Sequence, residues 1–150
     1  MIQRKQTLFL LLAAVIGILT QCMQIATVSA DGLTVGRVFS LWTVGQNGAL
    51  TYEPCPLFCL MLLSVALSVY TIFRFKRRPF QARLCMVNIL ITILWYIALV
   101  VVSKQLAPDA LNFQLELATA FPAVNAILLV LARKGILADE KLVKAADRIR

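Results

Sequence analysis

Apolar residues in this chain come in blocks. Four runs stand out: Leu8 to about Val28, Leu57 to Phe73, Leu84 to Val102, and about Phe113 to Leu131. Each run is apolar on every helical face. None shows the alternation of a half-buried strand or the narrow stripe of a soluble helix. A hydrocarbon layer about 30 Å thick takes on the order of 20 helical residues to cross. The pattern therefore predicts four transmembrane helices, at about 8–28, 57–73, 84–102 and 113–131, with a tail at 132–150. No Lys, Arg or Asp interrupts the middle of a run, where each costs roughly 2.5 to 3.5 kcal/mol. Glu116, near the start of the last run, is the one ambiguous acid.

The segments between the runs predict smaller elements. In the first outer loop, Asp31 to Glu53, two β-prone stretches flank Gln46-Asn47-Gly48. Asn and Gly tolerate the positive φ angles of a tight turn, so a small β-hairpin is expected there, with an unpaired loop as the alternative. Trp42 and Tyr52 suit the headgroup zone. The link Arg74 to Arg83, with Pro79 near its centre, reads as a tight connection between antiparallel helices. Pro108-Asp109 marks a second turn and a candidate N-cap for span four. Phe121-Pro122 lies inside span four and predicts a kink. From Asp139 the tail reads as a separate short amphipathic helix, with Leu142, Val143, Ala146 and Ile149 on one face. Asp139 and Glu140 then stand at the positive end of its dipole.

Composition agrees with a membrane address. The chain is 61% hydrophobic and 15% charged, against roughly a quarter charged residues in a soluble domain. Its 150 residues suffice for one membrane domain, with no room for a separate soluble enzyme.

Charge then gives an orientation. Thirteen of the fifteen basic residues fall in three clusters. These are Arg4 and Lys5; Arg74, Lys76, Arg77, Arg78 and Arg83; and Arg133, Lys134, Lys141, Lys144, Arg148 and Arg150. With Asp139, Glu140 and Asp147 these segments carry +10, and the remaining connections carry −2. Basic residues are retained on the cytoplasmic side. All three clusters share that side only if every run crosses once, with both termini cytoplasmic in a cell inner membrane. The basic residues flank spans, so the expected partner is a bilayer with anionic headgroups, at about 1 kcal/mol per residue near the surface. Nucleic acid is not expected. Candidate headgroup or partner contacts are Arg74, Lys76, Arg77, Arg78, Arg83, Lys141, Lys144, Arg148 and Arg150. A signal peptide is the competing reading of the N-terminus, with Leu8 to Leu19 as its apolar region and Val28-Ser29-Ala30 as a cleavage site. Against it, apolar residues continue past Leu19, and cleavage would leave three spans.

Candidate chemistry is sparse. The chain has no His, which excludes Ser-His-Asp and Cys-His arrangements and HExxH zinc sites. It also has no phosphate-binding Gly-rich loop. No metal or cofactor is expected; a set of Glu53, Cys55 and Cys59 supplies only three candidate ligands. Cys22 could pair with Cys55 in an oxidising compartment, or all four cysteines could be small apolar residues. The polar residues inside the spans are Gln21, Gln24, Ser64, Ser68, Asn88, Thr92, Thr119 and Asn125. Gln21, Asn88 and Asn125 are the candidate intramembrane contacts. They either join helices or line a pathway, and the absence of charge at depth favours the former. Ala13-xxx-Gly17 and Ser64-xxx-Ser68 offer small surfaces for close helix approach.

Three segments carry a family resemblance: Met1 to Ala14, Arg83-Leu84-Cys85-Met86-Val87-Asn88-Ile89-Leu90, and Asp139 to Arg150. They resemble the domain of unknown function 4293 family, small integral membrane proteins of Bacteroidota. The resemblance implies four spans, an inner-membrane address and an uncleaved first helix; it carries no activity. The expectation is an all-α four-transmembrane-helix bundle acting as a non-enzymatic accessory or scaffold subunit, with a protein partner or as a homo-oligomer. A small transporter or channel subunit is the alternative. An enzyme acting on lipid through Cys59 or Glu116 comes third.

Overall fold

The computed structural model describes residues 3–30, 33–74, 78–106 and 112–147, except for the side chains of 3–5, 78, 144, 146 and 147. Four α-helices dominate: α1 (Gln3–Cys22), α2 (Cys55–Phe73), α3 (Arg78–Leu106) and α4 (Phe121–Asp147). Each packs against its neighbours in a ring, α1 on α2, α2 on α3, α3 on α4 and α4 back on α1. Among the described residues, three helical segments are long and apolar enough to cross a membrane: Cys55–Phe73, Pro79–Leu106 and Leu117–Val143. The apolar part of α1, Gln6–Cys22, is shorter.

Burial along the helices repeats every 3.5 residues. The enclosed positions are Gln6, Leu10, Ala13, Gly17 and Thr20 on α1, and Leu57, Met61, Ser64, Ser68 and Thr71 on α2. On α3 they are Cys85, Asn88, Thr92, Trp95, Leu99 and Val102, and on α4 Asn125, Leu129, Ala132, Ile136 and Asp139. Alternating steps of three and four keep one seam of each helix facing its neighbours, as in shallow-angle bundle packing. Small residues bring the helices close. A Cβ on Gly17 would stand 2.6 Å from Val65 Cγ2, so the α1–α2 contact requires glycine there.

The chain carries more β-structure than expected. A five-stranded antiparallel sheet caps one end of the bundle, in the order β4-β3-β2-β1-β5. Its strands are β1 (Ala26–Ala30), β2 (Leu33–Val38), β3 (Thr43–Gly45), β4 (Leu50–Thr51) and β5 (Asn112–Leu115). The expected Asn47-Gly48 turn joins β3 to β4, with Gly48 at φ 71° and its N–H donating to Gly45 O at 3.0 Å. A second tight turn, closed by Phe39 N to Trp42 O at 2.9 Å, splits the longer β-prone stretch into β2 and β3. β1 pairs with β2 on one side and with β5 on the other, so both connections at this end share one sheet.

Four expectations are corrected. The first apolar run does not stay helical to Val28: α1 ends at Cys22, and Ala26–Ala30 forms an interior strand of the sheet, between β2 and β5. Span four does not begin at Phe113, because Asn112–Leu115 is β5 and a 3-10 turn, Leu117–Ala120, precedes α4. Pro122 produces no interior kink; it is the second residue of α4, where its missing N–H removes no helical bond. The tail is not a separate helix. α4 runs unbroken through Gly135 to Asp147, which places Asp139 and Glu140 well inside it and far from any helix start. The Pro108-Asp109 turn lies outside the described residues.

Two apolar clusters fill the bundle. Near the sheet, Ile25, Ala26, Val28 and Val38 pack on Leu57, Met61, Trp95, Leu99 and Val102. At the other end Leu10, Ala13, Ala82, Cys85, Leu129, Ala132 and Ile136 pack together. Thr119 Oγ1 donates to Ile25 O at 2.7 Å and Tyr96 Oη to Thr119 O at 2.8 Å, which fastens the sheet to the helix ends.

Candidate functional site

Between the two apolar clusters runs a layer of buried polar side chains. Asn88, on α3, donates both amide hydrogens to α2: Nδ2 lies 3.0 Å from Ser64 O and 2.8 Å from Ser68 Oγ. Ser64 O can only accept, so it fixes which end of the Asn88 amide faces it. Ser68 Oγ passes its own hydrogen to Ser64 O at 3.0 Å. Asn125, on α4, reaches Ser64 Oγ with Nδ2 at 3.4 Å. Thr92 Oγ1 returns to Asn88 O at 3.0 Å. Ser64 thus joins α2, α3 and α4 at one level of the bundle. Contacts of this kind in a membrane interior contribute about 0.6 to 2 kcal/mol each.

The two asparagine carbonyls point elsewhere. Asn88 Oδ1 and Asn125 Oδ1 are buried without a hydrogen-bond partner, as is Trp95 Nε1 two turns along α3 from Asn88. Gln21 stands apart from this layer. Its Nε2 donates to Phe58 O at 3.3 Å, tying α1 to α2, and its Oε1 is also without a partner. Of the three candidate intramembrane residues, the structure brings Asn88 and Asn125 together and leaves Gln21 on a separate contact.

A second polar set closes the end of the bundle away from the sheet. Gln6 Nε2 donates to Asp139 Oδ2, joining α1 to α4. Gly135 allows that approach, since a Cβ there would stand 3.0 Å from Gln6 Cγ. Gln81 Nε2 donates to Thr71 O at 3.1 Å, joining α3 to α2. Sequence reasoning missed Gln6, Thr71 and Gln81, and read Asp139 as a helix start. All four lie at the margins of the apolar runs or beyond them, where polar residues are ordinary. Their places in the 3.5-residue repeat are the signal that could have found them.

Of the basic candidates, Arg74 is half-buried, with its guanidinium carbon 5.6 Å from the Tyr70 ring centre and 5.4 Å from that of Phe80. Stacking of this kind holds a cation against aromatic faces. Arg83 and Lys141 are exposed. Lys76, Arg77, Arg148 and Arg150, and the side chains of Arg78 and Lys144, lie outside the described residues.

The four cysteines are free, with no Cys22–Cys55 bridge. Cys22 is exposed as the last residue of α1, and Cys55 opens α2 one turn from the exposed Cys59. Among the described residues no three His, Cys, Asp or Glu side chains converge on a metal position. Glu116 Oε1 accepts from Thr27 Oγ1 at 2.8 Å, and Glu116 N–H donates to Ile25 O at 2.8 Å, so Glu116 secures the sheet.

The fold and its polar seam define a small, mostly helical protein with three helices of membrane-crossing length and a sheet at one end. The chain belongs to the family described as Domain of unknown function (DUF4293), whose match covers residues 2–149. A search of curated proteins finds no match.

Proposed function

We propose that the protein is a four-span, non-enzymatic accessory or scaffold subunit of an inner-membrane assembly, with both termini and all three basic clusters in the cytoplasm. The observation that carries this reading is the inversion of the bundle. Its interior holds Ser64, Ser68, Asn88, Thr92 and Asn125, while Leu90, Ile97, Val100 and Ile127 are each more than half exposed on its outer surface. An aqueous surroundings would penalise that outer surface, and a bilayer covers it. The β1–β5 pairing supports an even number of crossings between those strands, by α2 and α3, since it holds the chain after α1 and the chain after α3 at one end. The apolar part of α1, Gln6–Cys22, has 17 residues, about 26 Å at 1.5 Å per residue, at the lower limit of what a span needs.

The scaffold role is favoured over a transport role by how the polar layer is used. Asn88 and Asn125 bind neighbouring helices through their amide nitrogens. This leaves the outward faces, the sheet and the basic cytoplasmic end as working surfaces. The partners are anionic headgroups and a second protein, or a further copy of this chain; nucleic acid is not among them. The test is cross-linking in native membranes followed by purification in mild detergent. A reproducible partner, or a defined homo-oligomer, is expected. A strictly monomeric protein with no recovered partner contradicts the scaffold role.

The unpartnered carbonyls of Asn88 and Asn125 are the one feature that favours a transporter or channel subunit. Solute flux that depends on Asn88 and Asn125 would move the reading there.

A further inference from the structure

We propose that the groove between α3 and α4 at the end away from the sheet binds one glycerophospholipid of the cytoplasmic leaflet, with its singly charged phosphodiester held between Arg83 and Arg133. The proposal rests on the membrane reading above. The groove has a volume of about 440 Å³ and is lined by Arg83, Met86 and Val87 of α3 and by Arg133, Leu137 and Glu140 of α4. That volume lies within the range of small-ligand sites, about 300 to 1,000 Å³.

The lining has two chemical parts. Arg83 immediately precedes the third apolar run, and Arg133 lies two residues beyond the fourth. Both are therefore at the edge of the hydrocarbon, at the level of lipid phosphates. Met86 and Val87 follow Arg83 along α3 into the span and are nearly half exposed, at 45% and 46%. Guanidinium groups beside open apolar side chains match an amphiphile. A free phosphate ion would make no use of the apolar wall.

Arg133 gives the second observation. The residue is half-buried, and its Nε is enclosed with no hydrogen-bond partner. A buried donor without an acceptor is costly, and a guanidinium presents donors in a planar fork that suits phosphate oxygens. Arg74 likewise has an enclosed Nε without a hydrogen-bond partner, but it lies outside the groove with its guanidinium stacked on two aromatic rings, and Lys141 is exposed outside the groove.

Charge selects among lipids. Arg83, Arg133 and Glu140 together contribute +1. One phosphodiester with an uncharged alcohol headgroup, as in phosphatidylglycerol, balances that charge. Glu140 lies one turn past Leu137 towards the C-terminal end of α4, on the headgroup side of the groove, where its carboxylate disfavours a second negative charge.

The test uses the full chain, stripped of lipid in mild detergent and examined by native mass spectrometry. The probes are phosphatidylglycerol, phosphatidylethanolamine and phosphatidylcholine, with inorganic phosphate as competitor. One phosphatidylglycerol adduct is expected in preference to the other two lipids, undisturbed by millimolar inorganic phosphate. Arg83→Gln and Arg133→Gln should each lower its affinity about fivefold, the factor for about 1 kcal/mol. Lys141→Gln should leave it unchanged. Arg83 is exposed, so its variant reports even if Arg133→Gln perturbs folding. Equal binding of the three lipids, displacement by inorganic phosphate, or an Arg83→Gln adduct as strong as that of Lys141→Gln overturns the site. If an alkaline wash releases the protein from membranes, the membrane reading falls and the site falls with it. An integral protein with no lipid selectivity sinks the site alone.

Discussion

Asn88 and Asn125 occupy the same polar layer but are bonded unequally. Asn88 makes two contacts to α2, at 3.0 and 2.8 Å, and Asn125 makes one at 3.4 Å. Asn88→Ala should therefore destabilise the protein more, by about 1 to 3 kcal/mol once the loss of two interhelical bonds is counted. Asn125→Ala should cost less than about 1 kcal/mol. Thermal unfolding in detergent checks the order; an equal or reversed pair would deny Ser64 its role as the junction. Gly17→Val is the steric counterpart. The valine Cβ would meet Val65 Cγ2, and overpacking of this kind costs about 1 to 3 kcal/mol. A variant that unfolds at the wild-type temperature would contradict the close α1–α2 contact. Much of this layer was legible in the sequence, because Ser64, Ser68, Asn88 and Asn125 interrupt otherwise apolar runs. Gln6 and Asp139 were not, because position within an apolar run identifies a buried polar residue only at the depth of the span.

At the level of elements, the sheet departs most from the sequence reading. Its Asn47-Gly48 turn was visible from turn chemistry, since the turn requires a positive φ that Gly48 supplies. β1 was hidden because Ala26-Thr27-Val28-Ser29-Ala30 continues the hydropathy of α1, and hydropathy alone does not separate a buried strand from a buried helix. β5 left a weak signal, the alternation Asn112-Phe113-Gln114-Leu115, which the apolar run beyond it masked. What neither segment could reveal is their pairing, a contact between residues more than eighty positions apart. Thr27 and Gln114 are register partners. Thr27→Cys with Gln114→Cys, in a background free of the native cysteines, should form an oxidative cross-link within one chain. It would appear as a mobility shift reversed by reductant. Failure to cross-link, with each single variant reactive to a thiol reagent, would argue against the β1–β5 pairing. The unbroken α4 is a second element-scale result. Gly135, shortly before the expected start of a separate tail helix, lies within α4 and is the gap that admits Gln6.

Across the whole molecule, an apolar exterior, a polar seam and basic ends combine into a single arrangement. α2, α3 and α4 have the length and hydropathy to cross a bilayer, and α1 runs beside α2 and α4 in the same ring. If α1 crosses with them, the sheet and the basic clusters lie on opposite sides of the membrane. Thiol labelling in intact cells tests this directly. In a cysteine-free background, Gln46→Cys reports the exposed β3–β4 turn and Lys141→Cys the exposed end of α4. A membrane-impermeant maleimide should label the Gln46→Cys protein in intact cells once the outer envelope is opened. It should label the Lys141→Cys protein only after the inner membrane is permeabilised. Labelling of both positions in intact cells, or of neither until the inner membrane is breached, would contradict the four-span arrangement.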